Sequence, residues 1–252
     1  MGQVANKVAL VTGGASGVGR ETVLLLLQEG ARVAFSDVNV EAGQALAAEC
    51  GREALFIRHD VSQAVDWAAA VASTQQHFGP LDILVNNAGI LVPGNIETAT
   101  LAQFRQLMQV NADSVFLGCQ HGLAAMKECG GSIVNMSSVS SWMPIENYVG
   151  YSASKAAVAA ITRAAALYCR KQGWPVRINS LHPDGIYTPM MQASAPGVPA
   201  NYMLFDPKKN PKGRAIMPDK IAQVILFLAS DASQAINGAE IRADSAILGM
   251  GL

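Results

Sequence analysis

Cysteine is scarce and scattered in this chain. Cys50, Cys119, Cys129 and Cys169 are far apart, and no two have the C-x-x-C spacing of a metal or redox site. They read as free thiols in a reducing compartment, so the sequence predicts a cytoplasmic protein with no disulfide framework and no metal. An excess of charge is also missing, since 18 basic and 19 acidic side chains leave a formal net charge of -1. Nucleic-acid binding asks for a basic face. The densest basic stretch, PKKNPKGR at Pro207 to Arg214, is broken by prolines and a glycine, so no nucleic-acid partner is expected. Long apolar runs are lacking too. The longest, VLLLL at Val23 to Leu27, is far too short to cross a bilayer, and MGQVANKVALVTGG has no signal-peptide core. No membrane partner is expected.

What the chain does have is hydrophobic content and a regular alternation. Half of its 252 residues are hydrophobic, enough for one large core. Short β-branched runs (KVALVT, RVAFSD, ALFIRHD, DILVNNAG, SIVNMSS, VRINSLHP and AEIRAD) alternate with longer helical patterns. The longest of these is an amphipathic stretch from Leu101 to about Lys127. Strands apolar on both faces, each followed by a helix, imply a parallel sheet covered on both sides by right-handed crossovers. The expected fold is a single α/β domain over residues 1–252, a doubly wound parallel sheet of seven strands. A Gly/Pro-rich insertion at about 184–217 stands between the sixth strand and the last helix, where a binding lid is expected.

The residues that carry chemistry fall at strand ends. TGGASGVG, Thr12 to Gly19, joins the first strand to the first helix. Glycines there let the backbone turn tightly and let a phosphate approach the N–H groups of the helix start. Asp37 ends the second strand, placed to accept hydrogen bonds from a ribose diol and to repel a 2′-phosphate. Asp60 and NNAG, Asn86 to Gly89, end the third and fourth strands, where turn chemistry explains them as well as function does. SSVSS after the fifth strand offers four candidate hydroxyls, Ser137, Ser138, Ser140 and Ser141, and alternation puts Ser137 and Ser138 on opposite faces, so only one of those two can aim at the head of the next helix. That helix opens with YVGYSASK, which sets Tyr151 and Lys155 one helical turn apart. An ammonium held there would favour the phenolate and draw the tyrosine pKa down, fitting it to exchange protons with an alcohol or ketone.

Together these segments resemble the short-chain dehydrogenase/reductase family over nearly the whole chain. The resemblance rests on TGGASGVG, Asp37, HDV, NNAG, Asn111, the serine pair, YSASK and HPDGIYTPM. It implies a Rossmann-like fold and an NAD-dependent oxidoreductase with Tyr151 as general acid/base. Lys155 would tune Tyr151 and bind the nicotinamide ribose. Ser138 would hold the substrate oxygen, and Asn111 would hold a water of a proton relay. Gly13, Ser16, Gly17, Val18 and Gly19 would wrap the pyrophosphate, with Asp37 on the adenosine ribose. Asp60 and Val61 would contact adenine, Asn87 and Ala88 would flank the adenosine, and Pro183, Ile186 and Thr188 would line the nicotinamide. The family's usual Pro-Gly reads Pro183-Asp184 here, and its Asp-Gly-Gly after the last strand reads Asp244-Ser245-Ala246.

Within the family, HPDGIYTPMMQAS and the tail ILGMGL are most similar to the bacterial 3β/17β-hydroxysteroid dehydrogenases. A small apolar alcohol or ketone, a hydroxysteroid first among them, is therefore the expected substrate. Other bulky secondary alcohols, or a catalytically silent NAD(H)-sensing scaffold, are the alternatives. The intact Ser138, Tyr151, Lys155 and Asn111 set speaks against the silent one. An apolar cleft is expected from Val92, Pro93, Trp142, Met143 and Tyr148 with Met190, Met191, Met203, Leu204, Phe205, Ile216 and Met217 of the insertion. The resemblance also implies a homotetramer built through the helices at 101–127 and 150–172 and the last strand.

Overall fold

The computed structural model describes residues 2–249, so Met1 and the last three residues of the ILGMGL tail lie outside the described residues. Seven parallel strands form one sheet. They are β1 (Val8–Thr12), β2 (Arg32–Asp37), β3 (Ala54–Arg58), β4 (Ile83–Asn86), β5 (Gly131–Met136), β6 (Val176–Pro183) and β9 (Glu240–Ala243). Their order across the sheet is β3-β2-β1-β4-β5-β6-β9. The order reverses between β1 and β4, and that switch point opens a crevice at the carboxyl ends of the strands.

Alternation along the strands explains the layers. In β1, Ala9 and Val11 pack on one face while Val8 and Leu10 pack on the other, and all four are buried. The first face is covered by α1 (Gly17–Gln28), α2 (Val40–Cys50) and α9 (Pro218–Ala229), through Val23, Leu26, Leu46, Ile221 and Ile225. The second is covered by α3 (Ala64–Phe78), α5 (Ser114–Met126) and α6 (Val149–Gln172), through Trp67, Val71, Val115 and Val158. Full burial of each such side chain contributes about 1.5–3 kcal/mol. Among the described residues, no helix is long and apolar enough to cross a membrane.

Two expectations change. The segment from Leu101 is not one helix: α4 (Leu101–Met108) and α5 are separated by a π-helical turn, Gln109–Asp113. A π-turn keeps an almost helical spacing of apolar residues, so the sequence pattern runs through it unmarked. The insertion is not a bare loop either. It forms β7 (Gly185–Ile186), α7 (Pro189–Ser194), α8 (Ala200–Met203) and β8 (Ala215–Ile216), and β7 pairs with β8 as a separate parallel ribbon.

Candidate active site

A cleft of about 650 Å³ occupies the switch-point crevice. One end is built by the glycine loop. Gly13 and Gly17 have φ of +64° and +52°, a conformation that side chains disfavour. A Cβ on Gly13 would also sit 2.9 Å from Ala88 Cα, and one on Gly17 would sit 3.2 Å from the Thr188 methyl. α1 begins there with no side-chain cap from Ser16. The start of α1 therefore keeps free N–H donors and the positive end of its dipole for an anion. Asp37 accepts from Ala15 N at 3.1 Å and Asn39 N at 3.0 Å, which aims its carboxylate across the loop and leaves lone pairs free. The glycine cradle and the uncapped helix suit a pyrophosphate, and the carboxylate suits a ribose diol.

Gly13, Ser16, Gly17, Val18, Asp37, Asp60, Val61, Asn87, Ala88, Pro183, Ile186 and Thr188 all line this cleft. Asp60 spends one carboxylate oxygen on its own turn, accepting from Ser62 N and Oγ at 3.0 and 2.7 Å. Asn87 donates its amide to the carbonyls of Thr12 and Gly13 at 2.9 and 3.1 Å, tying the β4 loop to the glycine loop. Gly19 is not on the wall. It is buried in α1, where a Cβ would strike the Gly13 carbonyl, so it supports the turn from behind.

The other end is built by β5 and the head of α6. Lys155 is 5 % exposed, donates Nζ to the Met136 carbonyl at 2.8 Å and lies 5.7 Å from the Tyr151 ring centre. Ser138 is the serine that faces the Tyr151 phenol. Ser137, also on the cleft wall, commits its hydroxyl to the same helix, donating Oγ to the Lys155 carbonyl at 2.8 Å. Burial pulls the Lys155 pKa down to about 8. Burial pushes the Tyr151 pKa above its ordinary value, and Ser138 acts in the opposite direction. The expected lowering of Tyr151 by Lys155 is thus not met in the chain alone: the ammonium is committed to a carbonyl, and desolvation of the phenolate is the larger effect.

Asn111 sits in the π-turn, outside the cleft wall. Its Oδ1 accepts from Ile90 N at 2.8 Å, and its Nδ2 donates to Ile90 O at 3.0 Å and Ser154 Oγ at 3.1 Å. Both amide hydrogens are used, so any water on Asn111 is held by an acceptor. A Cβ on Gly89 would lie 3.2 Å from Asn111 Oδ1 and 3.6 Å from Lys155 Nζ, so the bare glycine keeps the space between them open.

The sequence reading missed His182. It is fully buried, with Nδ1 3.1 Å from the Ser138 carbonyl and 2.9 Å from Ser141 Oγ, and Nε2 2.8 Å from Ser180 Oγ. Burial holds its pKa near 4, so the ring is neutral and braces the Ser138 segment. Trp142 stacks on that ring at 4.1 Å between centroids and is not on the cleft wall. Of the other residues expected there, Tyr148, Met190 and Met191 line the cleft, while Val92, Pro93, Met143, Met203, Leu204, Phe205, Ile216 and Met217 do not. Met203 is buried, and Leu204 and Ile216 are taken up by pairing along β8, which the ribbon requires and a simple loop would not. Ile90, Leu91, Val139 and Ile145 supply much of the apolar wall instead. At Asp184 the backbone simply continues: its N–H donates to Ala243 O at 3.3 Å before β7 begins.

A cleft of this kind marks an oxidoreductase that takes a dinucleotide at one end and a hydroxyl or carbonyl compound at the other. The chain belongs to the short-chain dehydrogenase/reductase family, whose members use a nicotinamide cofactor. A sequence model of that family, described as Enoyl-(Acyl carrier protein) reductase, matches residues 13–246. The chain is 64% identical over 251 residues to the 3-beta-hydroxysteroid dehydrogenase of Comamonas testosteroni, covering 99% of each. It is 39% identical over 244 residues to a 3-alpha-(or 20-beta)-hydroxysteroid dehydrogenase of Mycobacterium bovis, covering 96% of this chain and 90% of that one. It is 36% identical over 246 residues to the NADP-dependent (R)-specific alcohol dehydrogenase of Lentilactobacillus kefiri, covering 96% of each.

Proposed function

We propose that the protein interconverts secondary alcohols and ketones with NAD, and that its substrates are 3β- or 17β-hydroxysteroids and their ketones. One observation carries this reading: Ser138, Tyr151 and Lys155 meet in the cleft whose other end presents Asp37 and an uncapped helix start. When bound, the nicotinamide carries the hydride and, oxidised, adds a positive charge near the phenol. Ser138 holds the substrate oxygen. Tyr151 gives that oxygen a proton in reduction and takes one in oxidation. Lys155 anchors the ribose and stabilises the phenolate, and Asn111 holds an acceptor-bound water on the path to solvent. Gly13, Ser16, Gly17 and Val18 hold the pyrophosphate with Gly19 behind them. Asp60 and Val61 meet adenine, Asn87 and Ala88 flank the adenosine, and Pro183, Ile186 and Thr188 line the nicotinamide.

The preference for NAD rests on Asp37, which is followed by an exposed Val38 rather than a cation. Among the described cleft-lining residues, the Lys and Arg side chains are Lys155 and Arg214, and both already have partners. A relative 36% identical is named NADP-dependent, so this chain's own strand end has to decide. The steroid assignment is supported by the apolar wall of Ile90, Leu91, Val139, Ile145, Met190 and Met191 and by the name of the relative at 64% identity. Residues 184–217 cover the substrate, and four free cysteines fit a cytoplasmic setting. The test is a panel of hydroxysteroids, ketosteroids and small secondary alcohols with NAD and NADP, monitored by nicotinamide absorbance. NAD-linked turnover of 3β- or 17β-hydroxysteroids is expected. Equal use of NADP would remove the role given to Asp37, and turnover confined to small alcohols would remove the steroid.

A further inference from the structure

Asp184 and Arg214 are 30 residues apart and meet at the base of the lid, one just before β7 and the other just before β8. The guanidinium grips the carboxylate through two bonds, Nε to Oδ2 at 2.9 Å and Nη2 to Oδ1 at 2.7 Å. The Asp184 side chain is 8 % exposed and that of Arg214 42 %, and both residues line the cleft beside Met190 and Met191. Two-pronged pairs of this kind are the strong ones, and here the carboxylate is buried while the guanidinium reaches solvent.

The pair has a consequence for specificity. Of the two cations on the described cleft wall, Lys155 is held by the Met136 carbonyl beneath Tyr151. His59, also on the wall, is kept neutral by burial, with a pKa near 4. Arg214 is therefore the cation at the lid end of the cleft, and Asp184 cancels it. We infer that Asp184 is a specificity-determining residue that masks Arg214, so that the cleft rejects secondary alcohols carrying a carboxylate and accepts neutral ones. An anionic substrate would have to displace Asp184 from a two-pronged partner, whereas a neutral one leaves the pair intact. The inference rests on the proposed alcohol/ketone function only in where it puts the substrate. The position itself is one of two places where this chain departs from its family's usual spelling.

The experiment uses matched pairs of substrates of two lengths. One is a neutral 3β-hydroxysteroid and the same nucleus with a side-chain carboxylate; the other is cyclohexanol and trans-4-hydroxycyclohexanecarboxylate. For each pair, the ratio of kcat/KM for the acid to kcat/KM for the neutral alcohol is measured with saturating NAD. Asp184→Asn should raise that ratio at least tenfold for one pair or both, through KM rather than kcat. Arg214→Met, which leaves Asp184 unbalanced, should lower it. The double variant should not show the rise. A purely structural clamp would change both members of a pair alike, and that result overturns the inference, as does a ratio that stays flat because Arg214 swings to solvent. If Asp184→Asn does not fold, the fall expected in Arg214→Met still decides. Binding of the steroid acid to the NAD-loaded protein, measured by calorimetry, needs no turnover. Tighter binding by Asp184→Asn supports the mask even if the substrate panel fails, and unchanged binding refutes it.

Discussion

At the scale of single residues, burial is the recurring cause. It raises the Tyr151 pKa and lowers that of Lys155 to about 8. The phenol is therefore the resting form near neutral pH, ready to donate to a carbonyl oxygen. Ketone reduction should slow as pH rises into the alkaline range while alcohol oxidation quickens, because one needs the phenol and the other the phenolate. Tyr151→Phe should reduce kcat by at least a hundredfold in both directions and leave NADH binding, read by fluorescence titration, nearly unchanged. A variant that turns over near the wild-type rate would refute the assigned role. Lys155 gives a second, thermodynamic reading. Its folded pKa lies below its unfolded value, so burial of the charge costs stability at pH 7, and stability returns as pH rises from about 8 towards 10. Lys155→Met has no such titration. In a Tyr151→Phe background, the unfolding free energy with Lys155 should gain about 2 to 3 kcal/mol on its Met counterpart between pH 7 and pH 10. Urea titrations at the two pH values would test this, and a constant difference would mean that Lys155 is not desolvated.

At the scale of elements, the turn after β9 answers a question the sequence raised. Ser245 and Ala246 stand where the family's spelling has glycines, and they adopt φ of 47° and 66°, the left-handed region. Asp244 holds the turn. It is 6 % exposed, accepts from Ala246 N and Leu248 N at 3.2 Å each, and pairs with Arg242 at 2.6 Å. Burial opposes its charge, yet Arg242 and those N–H groups outweigh that and hold the carboxyl below its usual pKa. A non-glycine residue in that conformation costs roughly 1–2 kcal/mol, and glycine gives part of this back as chain entropy. Ser245→Gly and Ala246→Gly should each stabilise the protein by about 0.5–1 kcal/mol. A rise in Tm of a degree or two per substitution is the expected reading, and a fall would show that the side chains pack usefully.

The same scale shows what was legible. Strands and helices carried by hydrophobic period could be read from the chain, and β6 occupies Val176 to Pro183 as expected. Tyr151 and Lys155 fall at the head of α6, because a four-residue spacing needs only local geometry. Contacts between distant segments were hidden. Asp184 with Arg214, His182 beneath Ser138 and Asn111 stapled to Ile90 each depend on how loops meet in space, and no local pattern encodes that. The break between α4 and α5 was hidden for the opposite reason, since a π-turn disturbs the period by a single residue.

At the scale of the whole molecule, the outer face of α5 and α6 is unusual. Phe116, Leu167 and Tyr168 are each at least half exposed, and Ala156, Ala160 and Ala164 add a strip of small side chains along α6. Large exposed apolar groups on adjoining helices mark an association surface, and small residues let two helices approach closely. A two-fold axis across α5 and α6 would cover this face with its own copy. A second contact through the edge strand β9, which pairs only with β6 among the described residues, would close the set. A tetramer of the 252-residue chain is therefore expected in light scattering at micromolar concentration. Leu167→Glu with Tyr168→Glu places like charges against each other across the first axis and should leave a dimer or monomer. Because these side chains point away from the cleft, the smaller species should still bind NADH. A wild-type monomer would contradict the assembly, and a charged variant that stays tetrameric would move the contact to another face.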